Sequence, residues 1–125
     1  MLIKLGEVRS IMEGLGEILE KDLPVKAAYR FGKALAVIQG EAKAFDAARI
    51  KIIEKYAKWD EMGAPMVDEK TNTYVLADEE SFNKEFLDLA NEEVELDIKT
   101  VPLEALGDVM VKPSILARLD RFIEE

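Results

Sequence analysis

Leu5, Val8, Met12, Leu15 and Leu19 recur at alternating intervals of three and four residues, and Ile11 and Ile18 widen the stripe. An α-helix brings such positions onto one face, so the spacing predicts an amphipathic helix of about 15 residues. Gly14 and Gly16 lie within it and each weakens a helix by about 1 kcal/mol relative to alanine, so tertiary packing has to hold this element. The stretch "KDLP" interrupts the pattern. Pro24 suits a first helical turn, where its missing N–H costs nothing. From there Ala28, Phe31, Leu35, Ile38, Ala42, Phe45, Arg49, Ile52, Tyr56 and Trp59 continue the three-four spacing without a slip. A continuous helix from Pro24 to Trp59 would be about 54 Å long, and the first helix spans only about 22 Å of that length. The short connection predicts an antiparallel hairpin. Ala34, Ala36, Gly40, Ala42, Ala44, Ala47 and Ala48 make the middle of the long helix slim, so another backbone can come close.

After Trp59 the pattern changes. "DEMGAP" is turn chemistry, and the β-leaning runs Met66-Val67 and Thr73 to Leu76 flank a turn-like "EKTN", predicting a short hairpin. Asp78 is a good N-cap for a helix whose apolar face is Phe82, Phe86, Leu89 and Ala90, with Leu87 beside it. Val94, Leu96 and Ile98 then alternate with Glu95, Asp97 and Lys99, as a half-buried strand does. "PLEALGDVMVKP" suggests a short turn and a brief extended piece. Pro113 or Ser114 opens a last helix whose buried face would be Ile115, Leu116, Leu119, Phe122 and Ile123. These elements predict one α+β domain over residues 1–125: a long antiparallel helical hairpin at 1–59, and at 60–125 a small antiparallel sheet with two further short helices packing on it.

Composition narrows the chemistry. The chain has 125 residues, enough for a core without disulfides or metal. With neither Cys nor His, thiol nucleophiles, imidazole bases and the usual zinc sites are out of reach. Ser10, Ser81 and Ser114 read as helix residues or caps, so no catalytic residue, cofactor or metal site is expected. No run approaches the ~20 apolar residues of a membrane span. The opening residues mix acids with apolar positions and lack a cleavage site, so no signal peptide is expected.

The net charge of −9 is unevenly spread. Residues 21–59 hold nine basic and four acidic side chains, whereas residues 60–104 hold fourteen acidic and three basic. Lys26, Arg30, Lys33, Lys43, Lys51, Lys55 and Lys58 fall mainly off the seam, as a solvated face should. Arg49 sits on the seam, where it either extends outward along its stem or pairs with a carboxylate. Asp60, Asp68 and Glu69 lack the alternation of a calcium loop. Glu92, Glu93, Glu95 and Asp97 form the densest acidic cluster, read as a helix end and the wet face of a strand rather than a metal centre. Excess acid and the lack of interleaved aromatics argue against direct nucleic-acid binding.

Four stretches, "LPVKAAYRFGKAL", "EKYAKWDEMG", "FNKEFLDLANEEVELDI" and "VKPSILARLDRFIEE", resemble a family of small acidic proteins encoded by phages and prophages of Gram-positive bacteria. The likeness covers nearly the whole chain in order. It carries packing and turn patterns rather than catalytic signatures, and it transfers no functional residues. It implies a phage product, not secreted, acting in the cytoplasm of an infected or lysogenic host or built into the virion. The expected function is non-enzymatic: protein–protein contact, with itself or other phage proteins, as an accessory or minor structural component of particle assembly. The candidate partner-binding strip is Phe45, Arg49, Ile52, Tyr56 and Trp59, because large aromatic side chains dominate many interfaces. The alternative is an acidic host-directed inhibitor that imitates nucleic-acid charge, using the row Asp78, Glu79, Glu80, Glu85, Asp88, Glu92, Glu93, Glu95 and Asp97.

Overall fold

In the computed structural model, which describes residues 1–71 and 73–125, two helices form the frame. Helix α1 runs over Val8–Leu19 and α2 over Val25–Tyr56. Their antiparallel course is marked by Arg9 near the start of α1, whose Nη2 lies 3.4 Å from Oδ1 of Asp46 well along α2. Helix α2 is 32 residues without interruption, about 48 Å, and passes through Gly40 unbroken. Pro24 is its N-cap rather than its first residue; the Ala28 N–H donates to the Pro24 carbonyl at 3.0 Å.

The long helix ends three residues before the predicted limit. Ala57 turns to extended geometry, with φ −68° and ψ 148°, and bridges to Leu76, while Trp59 bridges to Pro65. Local periodicity continues through Trp59, but cross-strand pairing takes the backbone first.

Small ladders complete the α+β architecture. Strand β1 (Leu2–Lys4) precedes a 3-10 turn at Leu5–Glu7 and pairs antiparallel with β4 (Glu93–Glu95), with Ile3 opposite Val94. The short hairpin is β2 (Val67–Asp68) against β3 (Thr73–Tyr74). Strand β5 (Val101–Pro102) pairs in parallel with β6 (Ile123–Glu124), so the sheet is spread over three separate two-stranded ladders. The predicted strand 94–98 is cut short. The Ile98 N–H closes onto the Leu96 carbonyl at 3.0 Å, a three-residue turn at Asp97. Its alternation survives: Leu96 is buried, Val94 and Ile98 are half-buried, and Glu95 and Asp97 are exposed.

Helix α3 (Glu79–Ala90) starts at Asp78, whose side chain accepts from the Ser81 N–H at 3.0 Å and the Ser81 hydroxyl at 2.7 Å. These two donors hold the Asp78 carboxyl below its ordinary pKa. Helix α4 (Pro113–Arg118) is only six residues, followed by a 3-10 turn at Asp120–Phe122. It packs on α1, whereas α3 crosses the far part of α2, so only one of the two short helices covers the exposed stretch of the long one. Gly14 now has a structural reason: a Cβ there would stand 3.2 Å from Leu119 Cδ2 and 3.3 Å from Arg118 Cβ. The missing side chain lets α4 approach α1.

The core gathers at one end. Ile3, Val8, Ile11, Leu15 and Ile18 meet Ala27, Phe31, Ala34 and Ile38 of α2, and Val101, Ile115, Leu119 and Phe122 close the cluster. Each large side chain so buried contributes about 1.5–3 kcal/mol. The buried positions of α2 in this half are 27, 31, 34 and 38, so the seam lies slightly to one side of the predicted Ala28-Phe31-Leu35-Ile38 line. Beyond Ile38, only Ile52 in α2 is buried. No helix among the described residues is long and apolar enough to cross a membrane.

Candidate functional site

At the far end of α2 the chain folds into a small tip made of residues 57–59, 65–68 and 73–76. Three backbone bonds close a ring there. The Lys58 N–H donates to the Val75 carbonyl at 2.8 Å, the Val75 N–H to Met66 at 2.9 Å, and the Met66 N–H to Lys58 at 2.7 Å. The turn between the first two segments is held by Asp60, whose Oδ1 accepts from the Met62 and Ala64 N–H groups, each at 2.9 Å. Gly63 supplies the left-handed residue of that turn, at φ 80°. Asp68 Oδ1 accepts from the Lys70 N–H at 2.9 Å, so two acids of this region serve as turn anchors. No group of three or more metal-ligating side chains occurs among the described residues.

Two-residue strands cannot bury their own side chains, and the tip shows it. Val67 lies opposite Tyr74 and Trp59 opposite Pro65, while Pro65 and Val67, two apart in extended chain, share a side. Trp59, Val67 and Tyr74 therefore stand on one face, each about half exposed; Met62 at the turn is 93% exposed. A hydrogen-bonded backbone thus carries an open apolar surface.

Of the five residues in the predicted strip, only Trp59 belongs to this surface. The Phe45 ring packs against Phe86 of α3 at 6.0 Å between centroids, and Phe86 stacks on Phe82 at 5.9 Å. Arg49 is half-buried and, among the described residues, reaches no carboxylate of the acidic half; its Nε lies 3.9 Å from Asp46 on its own helix. Ile52 is buried. Tyr56 is half-buried, beside the Lys55–Glu85 pair in which Nζ lies 3.2 Å from Oε1. The Tyr56 hydroxyl and the Lys55 ammonium, both turned to the Glu85 carboxylate, lower its pKa, and the same carboxylate raises those of Tyr56 and Lys55. Phe45, Arg49, Ile52 and Tyr56 thus serve the joint between α2 and α3 or the helix itself, and Trp59 alone projects outward.

Sequence patterning did not single out Met62, Met66, Val67 and Tyr74 as surface. The signal available was the brevity of the predicted hairpin, which leaves no second layer to cover its apolar residues. No protein-family model, curated protein or solved structure matches the chain.

Proposed function

We propose that this chain is a non-enzymatic, phage-type contact protein, an accessory or minor structural component of particle assembly, and that the distal tip makes the contact. The supporting observation is the exposed face of Trp59, Val67 and Tyr74 on a hydrogen-bonded backbone ring, at the end of a long helix. A tip already ordered before binding loses little conformational entropy on docking, and an aromatic pair supplies most of the contact energy in many interfaces. Quantitative mass spectrometry of particles and assembly intermediates from the encoding phage or induced prophage tests this. The wild-type chain should copurify with virion proteins, and the double substitution W59A/Y74A should abolish that association while leaving the fold intact. Absence of the wild-type chain from particles and intermediates alike would contradict the proposal.

The acidic inhibitor is the second reading. Glu79, Glu80, Asp88, Glu92 and Glu93 are exposed and enter no ion pair among the described residues, which favours it. Capture of a host nucleic-acid-binding enzyme, weakening steeply with salt and indifferent to W59A/Y74A, would select that reading instead.

A further inference from the structure

A cleft of about 630 Å³ opens between the first half of α2 and residues 97–99. Ala34, Val37 and Ile98 form its apolar floor, and Lys26, Arg30, Lys33 and Lys99 stand around it with Tyr29, which is 63% exposed. Asp97 is the single acid in the lining. Arg30 is fixed in place, Nη1 donating to the Thr100 carbonyl at 3.1 Å, and Lys33 Nζ lies 5.2 Å from the Tyr29 ring centroid. None of these four cations enters an ion pair among the described residues, although Arg9, Arg49, Lys55, Arg118 and Arg121 all do.

Four like charges grouped on a chain of net charge −9 repel one another, and Asp97 is the one carboxylate in the lining to offset them. A complementary occupant has an apolar knob flanked by carboxylates. The outer face of α3 has that character. Leu87 is 57% exposed; Glu80 lies two turns before it on the same line of the helix, Asp88 about 100° round the exposed side, and Glu92 and Glu93 just beyond, with Asn83, Asn91 and the one base, Lys84, as its immediate neighbours. Within one chain the two surfaces do not meet. Helix α3 is tied to α2 at Phe45, whereas the cleft is centred near Lys33, about 18 Å back along the helix axis.

We propose that the Lys26, Arg30, Lys33 and Lys99 cleft of one copy receives the acidic outer face of α3 from a second copy, with Leu87 on the apolar floor. Two different patches meet, so the contact is head-to-tail and builds a ring or a filament. This deepens the reading of a contact protein by making another copy of the chain one of its partners.

Sedimentation velocity of the full chain at about 50 mM and about 500 mM salt reads the contact, because shortening the Debye length from about 14 Å to about 4 Å weakens exposed charge pairing. Multimers at low salt that fall to monomers at high salt are expected. K26E/K33E should be monomeric at low salt, and so should E80K/D88K, each folded by circular dichroism; L87A should associate at least tenfold more weakly. Mixing the two charge-reversed variants should restore assembly, since each reversed patch then meets its complement, and this rescue distinguishes pairing from misfolding. A monomeric wild-type chain at low salt, multimers indifferent to both reversals, or a mixture that stays monomeric would overturn the proposal. So would a monomeric chain whose cleft lysines bind a labelled single-stranded oligonucleotide. None of these results bears on copurification with virion proteins, so the two proposals can fail separately.

Discussion

The two halves of α2 share one periodicity and have different fates. In the first half Ala27, Phe31, Ala34 and Ile38 are all buried, Phe31 and Ile38 completely. In the second half Phe45, Arg49 and Tyr56 occupy equivalent places on the seam but stay half-buried, and only Ile52 is buried. The difference lies in what faces the helix. Helix α1, the β5 region and the elements behind them close over the first half, whereas the second is met by α3 and, at its near end, by the start of α1 and the Leu5–Glu7 turn. A three-four repeat therefore determines which side of a helix is apolar, and tertiary coverage determines how much of that side leaves water. The near half anchors the fold; the far half holds out a tip.

The largest expected effect breaks the comparison directly. Phe31→Ala should cost about 3–5 kcal/mol in chemical denaturation, the range for truncating a fully buried aromatic. Phe45→Ala on the half-buried seam should cost about half as much, because its site is open to water and can relax. Equal losses would mean that the two halves are covered alike. A smaller effect of opposite sign comes from Gly40, around which a Cβ would meet nothing within 4 Å. Gly40→Ala should stabilise the protein by about 0.4–1 kcal/mol, by helix propensity and by restricting the unfolded chain.

The smallest effect sharpens the account of the α2–α3 joint. The Glu85 carboxyl has a lowered pKa in the folded state, so the stability it adds is fully present above the unfolded value of about 4.3 and fades as pH falls through the folded one. Lys55, whose pKa is raised, contributes stability that is lost only as pH rises past about 10.4. Glu85→Gln should therefore flatten part of the fall in denaturation midpoint below about pH 4 and slightly lower the midpoint at neutrality. An unchanged acid limb would show that the pair adds nothing to stability.

Legibility in the sequence followed the strength of local signals. The unbroken α2, the Asp78 cap and the hairpin around Val67 and Tyr74 each rest on contiguous residues, and each appears in the fold. Strand β1 was hidden because Leu2-Ile3-Lys4 becomes a strand only through β4, some ninety residues later. The last helix ends early for a similar reason: Ile123 and Glu124, read as helical, pair instead with Val101 and Pro102. Gly14 resembled a weakness until Leu119 was found against it. Of the candidate strip, Trp59 was legible as an aromatic of the helix seam but not as one that projects outward from a tip. The partners of Phe45 and Tyr56 were not, since Phe86 and Glu85 arrive on a different helix. The basic cleft was equally hidden, because Ile98 and Lys99 join Lys33 only in three dimensions.

Hydrogen exchange along α2 tests the central claim most directly. If the near half is the anchor, amides around Phe31 to Ile38 should exchange only on global unfolding, while those of residues 43–51 should exchange at least tenfold faster through local opening. Uniform protection along the whole helix, or faster exchange in the near half than in the far one, would contradict the account.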